Sequence, residues 1–248
     1  MTRIQKIGIG ILIAIVVVTA AGFWGKNKAQ TFLYPLAPPM PPIVSQSMPE
    51  ILANLESVLK TNAPQVFATL RPGISPEQIS QLEQQYHVQV PDDVKAIYEW
   101  HDGARQDTNY IVDFIPIHRF VPLEDMLADK AGQAKATATA TPVQRAAFQV
   151  FAGYRKNWYC LFDDGSGNGY FFDPTRKPAE GALFSVFVED NDFTFFPSAK
   201  NLMAGIARCY EQGAYRVKSG DLPLPLQLDE SFDLSTKIWK EFGASNQE

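Results

Sequence analysis

The first 49 residues of this 248-residue chain contain no acidic side chain; the first is Glu50. Cysteine is nearly as scarce. Cys160 and Cys209 stand 49 residues apart, with no C-x-x-C pair and no histidine at zinc-finger spacing. That rules out a zinc-finger or disulfide-framework design. Arithmetic allows one disulfide, but nothing in the sequence supports it, and the two cysteines read as small buried apolar residues. The three histidines, His87, His101 and His118, are not at helical ligand spacing from one another and read as helix-end or surface residues. The chain carries no G-x-S-x-G, P-loop, H-E-x-x-H, or strand-following G-x-G-x-x-G pattern. It also lacks an excess of base. Four cations (Arg3, Lys6, Lys26, Lys28) precede residue 29, leaving 18 of the 22 Lys+Arg against all 27 Asp+Glu, a charge of −9 for residues 29–248. A body of that sign argues against binding a nucleic-acid backbone and suits an ordinary acidic domain or one that docks a basic partner.

What the N-terminal stretch does contain is apolar. Ile7–Trp24 is an uninterrupted run of 18 residues, bracketed by Arg3 and Lys6 before it and Lys26 and Lys28 after it. As a helix it would rise about 27 Å, close to the thickness of a bilayer's hydrocarbon core. Thr19-Ala20-Ala21 offers a weak signal-peptidase site. The length of the run and the interfacial Phe23-Trp24 favour an uncleaved single-pass anchor. The slight excess of positive charge before the run puts the body on the non-cytoplasmic side. Residues 35–49, PLAPPMPPIVSQSMP, hold six prolines and no charge. They read as a semi-rigid spacer that would hold the body roughly 30–45 Å from the membrane. The expected organisation is an anchor at 1–28, a linker at 29–49, a folded domain at 50–218 and a C-terminal extension at 219–248.

Within the domain, apolar spacing predicts a helix over Glu50–Lys60 and an apolar turn over Gln65–Leu70. Ser75-Pro76-Glu77-Gln78 is a capping box that starts a helix carrying Ile79, Leu82 and Tyr86. Val88 and Val90 form a short link. Pro91-Asp92-Asp93 then starts a second helix, with Val94, Ile97, Tyr98 and His101 on one face and Gly103 ending it. Ile111–Val121 reads as an edge strand or extended loop around Pro116, and 128–142 as a surface loop or frayed helix. From Phe148 to Phe196 the chain changes character, with 14 of its 30 aromatics in 49 residues. Phe148–Phe151, Trp158–Phe162, Tyr170–Phe172, Ala182–Val188 and Phe193–Phe196 read as strands of an antiparallel meander. Ser198–Gly213 is helical, and Leu234, Ile238, Trp239 and Phe242 mark a short terminal helix. Helices, then sheet, then helix give an α+β class: one domain with an antiparallel or mixed sheet flanked by helices.

Few residues offer chemistry. Asp164-Gly165-Ser166-Gly167-Asn168-Gly169 matches the first half of an EF-hand calcium loop. The bidentate acid is missing, because Thr175 stands where it should fall, and the flanks read as strands. A glycine-rich hairpin turn explains the same residues. The acidic pair Asp92/Asp93 is accounted for at a helix start, and Asp163/Asp164 lies in that turn. No metal, cofactor or catalytic set is expected.

The stretch L-x-P-G-x-S-x-x-x-I-x-x-L-E, a two-residue apolar link, and V-P-D-D-V-K-x-x-Y-x-W-H-D-G together resemble the N-terminal half of the SUKH superfamily. Leu70, Pro72, Gly73, Ile79, Leu82, Glu83, Val90, Pro91, Asp92, Asp93, Tyr98, Trp100, Asp102 and Gly103 carry the likeness. Phe162-Asp163, Phe172-Asp173-Pro174, Ala182–Val188 with Glu189-Asp190, and Leu202–Tyr210 resemble its second half. The resemblance covers roughly Pro49 to Arg216. The Ala-Thr stretch 134–141 looks like an insertion, and the membrane anchor lies outside the family pattern.

That group includes a yeast cell-wall synthesis regulator and many bacterial immunity proteins. The resemblance therefore implies a non-enzymatic α+β domain that binds a protein partner, either a toxin or an envelope-assembly protein. Trp100, His101, Asp102, Asp163 and Asp164 are the candidate partner contacts. Packing and capping compete for Trp100 and Asp102. The alternative is a structural or regulatory module of cell-envelope assembly. A hydrolase built from Asp163, Asp164 and His101 ranks last.

Overall fold

Capping groups set where the helices begin. In this computed structural model, residues 44–105, 113–139, 141, 157–177, 182–187, 192–218 and 227–246 are described. All fall in one compact unit, Pro35–Glu248. Helix α1 (Met48–Asn62) starts two residues before its apolar pattern suggests. Ser47 is the reason. Its amide donates to Glu50 Oε2 at 2.8 Å, and its hydroxyl oxygen accepts the Glu50 amide at 3.4 Å. Pro64 opens α2 (Pro64–Thr69). Helix α3 (Pro76–Tyr86) carries the expected capping box, with Ser75 N donating to Gln78 Oε1 at 2.8 Å and Gln78 N to Ser75 Oγ at 3.3 Å. It ends on His87, left-handed at φ 52°.

Helix α4 (Asp92–Trp100) differs from expectation at both ends. Pro91 is its N-cap, not its first residue, leaving Asp92 and Asp93 in the first turn beside the positive end of the helix dipole. His101 does not continue the Val94–Ile97–Tyr98 face. It is already extended (φ −147°, ψ 136°), two positions before Gly103.

The next strand, β1 (Arg119–Phe120), is the edge of the main sheet. Helix α5 (Leu123–Thr139) follows. The alanine-threonine stretch to residue 139 is the exposed far part of that helix, while Leu123, Met126 and Leu127 bury its first turns. Strands β2 (Tyr159–Asp163), β3 (Gly169–Phe172), β4 (Leu183–Phe187) and β5 (Asp192–Phe196) form the predicted meander. Asp163, Gly169, Val186 and Phe193 lie in one row across it. The Phe148–Phe151 strand, Ile111, and the Glu189-Asp190 turn lie outside the described residues.

Aromatic alternation makes both faces of this sheet apolar. Phe162, Phe172, Leu183 and Phe196 join the core cluster that holds Leu55, Ile97 and Tyr98 from α1 and α4. Helix α6 (Ala199–Glu211) adds Leu202, Met203, Ile206 and Tyr210 to it. On the opposite face Trp158, Phe171, Phe184, Phe193 and Phe195 are all buried, with Trp158 edge-on to Phe184 at 4.6 Å between centroids.

The chain after residue 218 belongs to the same packing. Hairpin β6 (Tyr215–Lys218) and β7 (Gln227–Glu230) leads into α7 (Phe232–Glu241), and β8 (Ser245–Asn246) pairs with β5 as the sixth strand. Gly205 leaves room for α7; a Cβ there would lie 2.4 Å from Trp239 Cζ3. The sheet is antiparallel throughout and the class is α+β, as expected.

Neither cysteine is in a disulfide. Cys209 is buried, and burial pushes its thiol up to about 12. His118 corrects the expectation of a surface residue: it is 4% exposed, covered by the rings of Tyr170 and Phe187. Among the described residues no helix is long and apolar enough to cross a membrane; the Ile7–Trp24 run lies outside them.

Candidate functional site

Segment 70–74 and segment 101–105 run side by side, and this crossing explains the motif. Arg71 N donates to Gly103 O at 2.9 Å and Arg105 N to Thr69 O at 2.8 Å. Ile74 N reaches Tyr98 O at 3.1 Å, satisfying a carbonyl at the end of α4 that has no helical partner. Backbones this close leave no space for side chains. A Cβ on Gly73 would sit 1.8 Å from Glu99 O; one on Gly103, which is also left-handed at φ 74°, would sit 2.5 Å from Pro122 N. Gly73 is thus a steric requirement of the crossing, and Gly103 of the close approach of Pro122.

Asp102 lies at its centre, 4% exposed. Oδ1 accepts the Leu123 amide at 2.9 Å, capping α5 from 21 residues away, and Oδ2 pairs with Arg71 Nη2 at 2.9 Å. His101 Nδ1 lies 2.6 Å from Arg71 O. A carbonyl only accepts, so Nδ1 carries the hydrogen; Nε2 is buried without a partner among the described residues. Trp100 is half-buried, and its Nε1–H donates to Glu56 Oε2 at 2.9 Å, tying α4 to α1. The donors from Lys60 and Trp100 hold the Glu56 carboxyl below its ordinary range.

The other two candidates are equally committed. Asp163 makes a two-pronged pair with Arg119, at 2.6 and 2.9 Å, joining β2 to β1. Asp164 organises the β2–β3 turn. It accepts amides from Ser166 at 2.8 Å and from Gly167 and Asn168 at 3.1 Å, plus the Ser166 hydroxyl and the Asn168 side-chain amide. Partial burial works to raise its pKa, and these donors outweigh it, so the carboxyl titrates below its ordinary value. The EF-hand likeness is therefore a hairpin turn whose oxygens already have protein donors. Among the described residues no group of acids, histidines or cysteines is placed to hold a metal.

Strand β1 separates the two groups. Ala104 N donates to Phe120 O on one side, and Phe120 pairs with Phe162 on the other. His101 is thus not brought together with Asp163 and Asp164.

The surface beyond Asp163 carries almost no mark in the sequence. Ile115 and His118 exchange backbone hydrogen bonds at 3.1 and 2.8 Å across a two-residue turn, Pro116-Ile117. Ile117 is 57% exposed and left-handed at φ 62°, where glycine or asparagine is the ordinary occupant. Phe187, the last residue of β4, is 42% exposed. Pro116 was the one available signal, since proline at the first turn position often precedes a residue of positive φ.

Two concavities lie elsewhere among the described residues. One, of about 580 Å³, lies at the other end of the sheet, between the 87–94 link, Tyr159, Phe172 and Arg176. Another, of about 470 Å³, lies between α5 and the β2–β3 turn.

A model of the SMI1 / KNR4 family (SUKH-1) matches residues 73–208, more than half of the chain. The match begins at the glycine that the 70–74 crossing requires. No curated protein matches the chain.

Proposed function

Since the chain belongs to the SMI1 / KNR4 family (SUKH-1), we propose that it is a non-enzymatic interaction domain that binds a protein partner. In this reading it is held at a membrane by residues 7–24, and the proline-rich segment spaces the body from the bilayer on the non-cytoplasmic side. The observation that carries the reading is the commitment of the polar residues. Asp102, Asp163 and Asp164 each have their oxygens filled by donors of the fold itself. None is poised as a free acid or base, which general acid–base chemistry would need. Exposed apolar side chains, Ile117 and Phe187, stand at the same end of the sheet as Asp163 and Asp164, and such a combination suits docking.

The test is to recover the full chain from native membranes after chemical crosslinking and quantify what comes with it. A partner in stoichiometric amount, lost when the body is unfolded, supports the reading; recovery of the chain alone contradicts it. Shifting the body to the soluble fraction by deleting residues 1–28 checks the anchor. The apolar run and spacer also favour a second reading, a module of envelope assembly. Sensitivity of a deletion strain to envelope stress, without sensitivity to a toxin, would select it.

A further inference from the structure

We propose that the end of the sheet bearing the Pro116-Ile117 turn and Phe187 is the docking surface. Its partner is a protein surface that offers an apolar side chain ringed by lysine or arginine. This rests on the interaction reading above and specifies its surface and partner.

Ile117, Phe187 and Phe232 are the exposed large hydrophobics among the described residues. Phe232 stands at the start of α7, the helix that follows the separate two-stranded β6–β7 sheet. Ile117 and Phe187 instead share one end. His118 links them: it follows Ile117 in the chain, and its ring lies 6.3 Å from Phe187 and 5.1 Å from Tyr170. This buried imidazole has its Nδ1 2.8 Å from Pro116 O, so one side chain ties the Pro116-Ile117 turn to the ring of Phe187. Nothing in the turn's own geometry calls for isoleucine. A β-branched residue at positive φ is unfavourable, and its side chain is mostly in water. An apolar contact made outside the chain accounts for both features.

The surroundings choose the partner's sign. Asp164 tips the neighbouring hairpin and is held ionised by its turn donors. Exposed Asp192 is the cross-strand partner of Phe187. The nearby base, Arg119, is already paired with Asp163. The body's charge of −9, from 18 bases and 27 acids over residues 29–248, points the same way. An anionic membrane surface would be repelled. A second copy would set acid against acid.

The experiment selects random dodecapeptides displayed on phage against the full chain in nanodiscs, after removing binders of empty nanodiscs. Recovered peptides are expected to carry net positive charge and at least one large apolar residue, and to weaken as salt rises. Phe187→Glu and Ile117→Asn, each checked by circular dichroism for an intact fold, should each lower their affinity by about tenfold or more. Peptides without a basic bias, or affinities that neither substitution changes, overturn the proposal. If binding depends instead on Tyr159 and Arg176 in the opposite groove, the surface is wrong while the interaction reading stands. If no peptide distinguishes folded from urea-unfolded chain, both fall.

Discussion

The carboxylate of Asp102 accepts the backbone amide of Leu123 at 2.9 Å, so the end of one helix fixes the start of another. Its second oxygen holds Arg71 from the segment before α3. One buried side chain thereby joins three parts of the fold. That is a structural role for the most distinctive acid in the sequence motif, and it leaves docking to other residues.

Replacing Asp102 should therefore destabilise the fold rather than merely weaken its binding. Asp102→Ala removes a helix cap and leaves Arg71 without its partner, an expected loss of roughly 2–4 kcal/mol. Asp102→Asn keeps an oxygen for the Leu123 amide and gives up only the pairing with a half-exposed Arg71, about 1 kcal/mol. Urea unfolding of both variants checks the order. Equal losses would mean that the cap contributes little.

The two glycines of the crossing are open to the same assay. Gly73→Ala drives a methyl into the Glu99 carbonyl, and Gly103→Ala combines a clash at Pro122 with an unfavourable φ of 74°. Each should cost about 2–4 kcal/mol. Gly132, in α5 with nothing within 4 Å of its would-be Cβ, is the control. Gly132→Ala should be neutral or stabilise by up to about 1 kcal/mol.

What was legible in the sequence was local. The Ser75–Gln78 box, the acids opening α4, the meander and α6 all follow from spacing over a few residues. What was not legible depended on the crossing. Helix α4 stops at Trp100 because segment 71–74 approaches its last carbonyls, and no pattern within 92–103 records that approach. Asp102 finds Arg71 and Leu123, 31 positions before it and 21 after it, so its role as a cap was readable but not the helix it caps. The two acids at 163 and 164 look alike in sequence; one pairs with an arginine 44 residues away and the other closes its own turn. Ile117 has no local signal beyond Pro116, since isoleucine at positive φ runs against propensity.

That conflict at Ile117 has a measurable sign. Ile117→Asn relieves the left-handed strain and exposes less apolar surface, so the folded protein should gain about 0.5–1 kcal/mol, or roughly 1–3 °C in melting temperature. The same variant should bind less well. Lower stability on substitution would show that isoleucine is there for the fold.

His118 gives the fold a pH dependence. Burial lowers its pKa below the ordinary 6.5, against the raising effects of the Pro116 carbonyl and of Asp164 and Asp163. On acidification the unfolded chain takes up this proton first, near pH 6.5, while the folded chain resists. The contribution is therefore present above about 6.5 and is lost as pH falls toward the folded-state pKa. The urea midpoint of the wild type should drop more between pH 7.5 and 5.5 than that of His118→Gln. Parallel drops would remove His118 as the cause.

Amide hydrogen exchange on the full chain in nanodiscs, with and without a saturating selected peptide, tests most directly where the partner sits. New protection should concentrate at Ile117 and His118, at the Asp164–Asn168 turn and around Phe187, leaving Trp100–Gly103 unchanged. Protection centred on Trp100–Gly103, or on the 87–94 link and residues 173–176, would contradict the account.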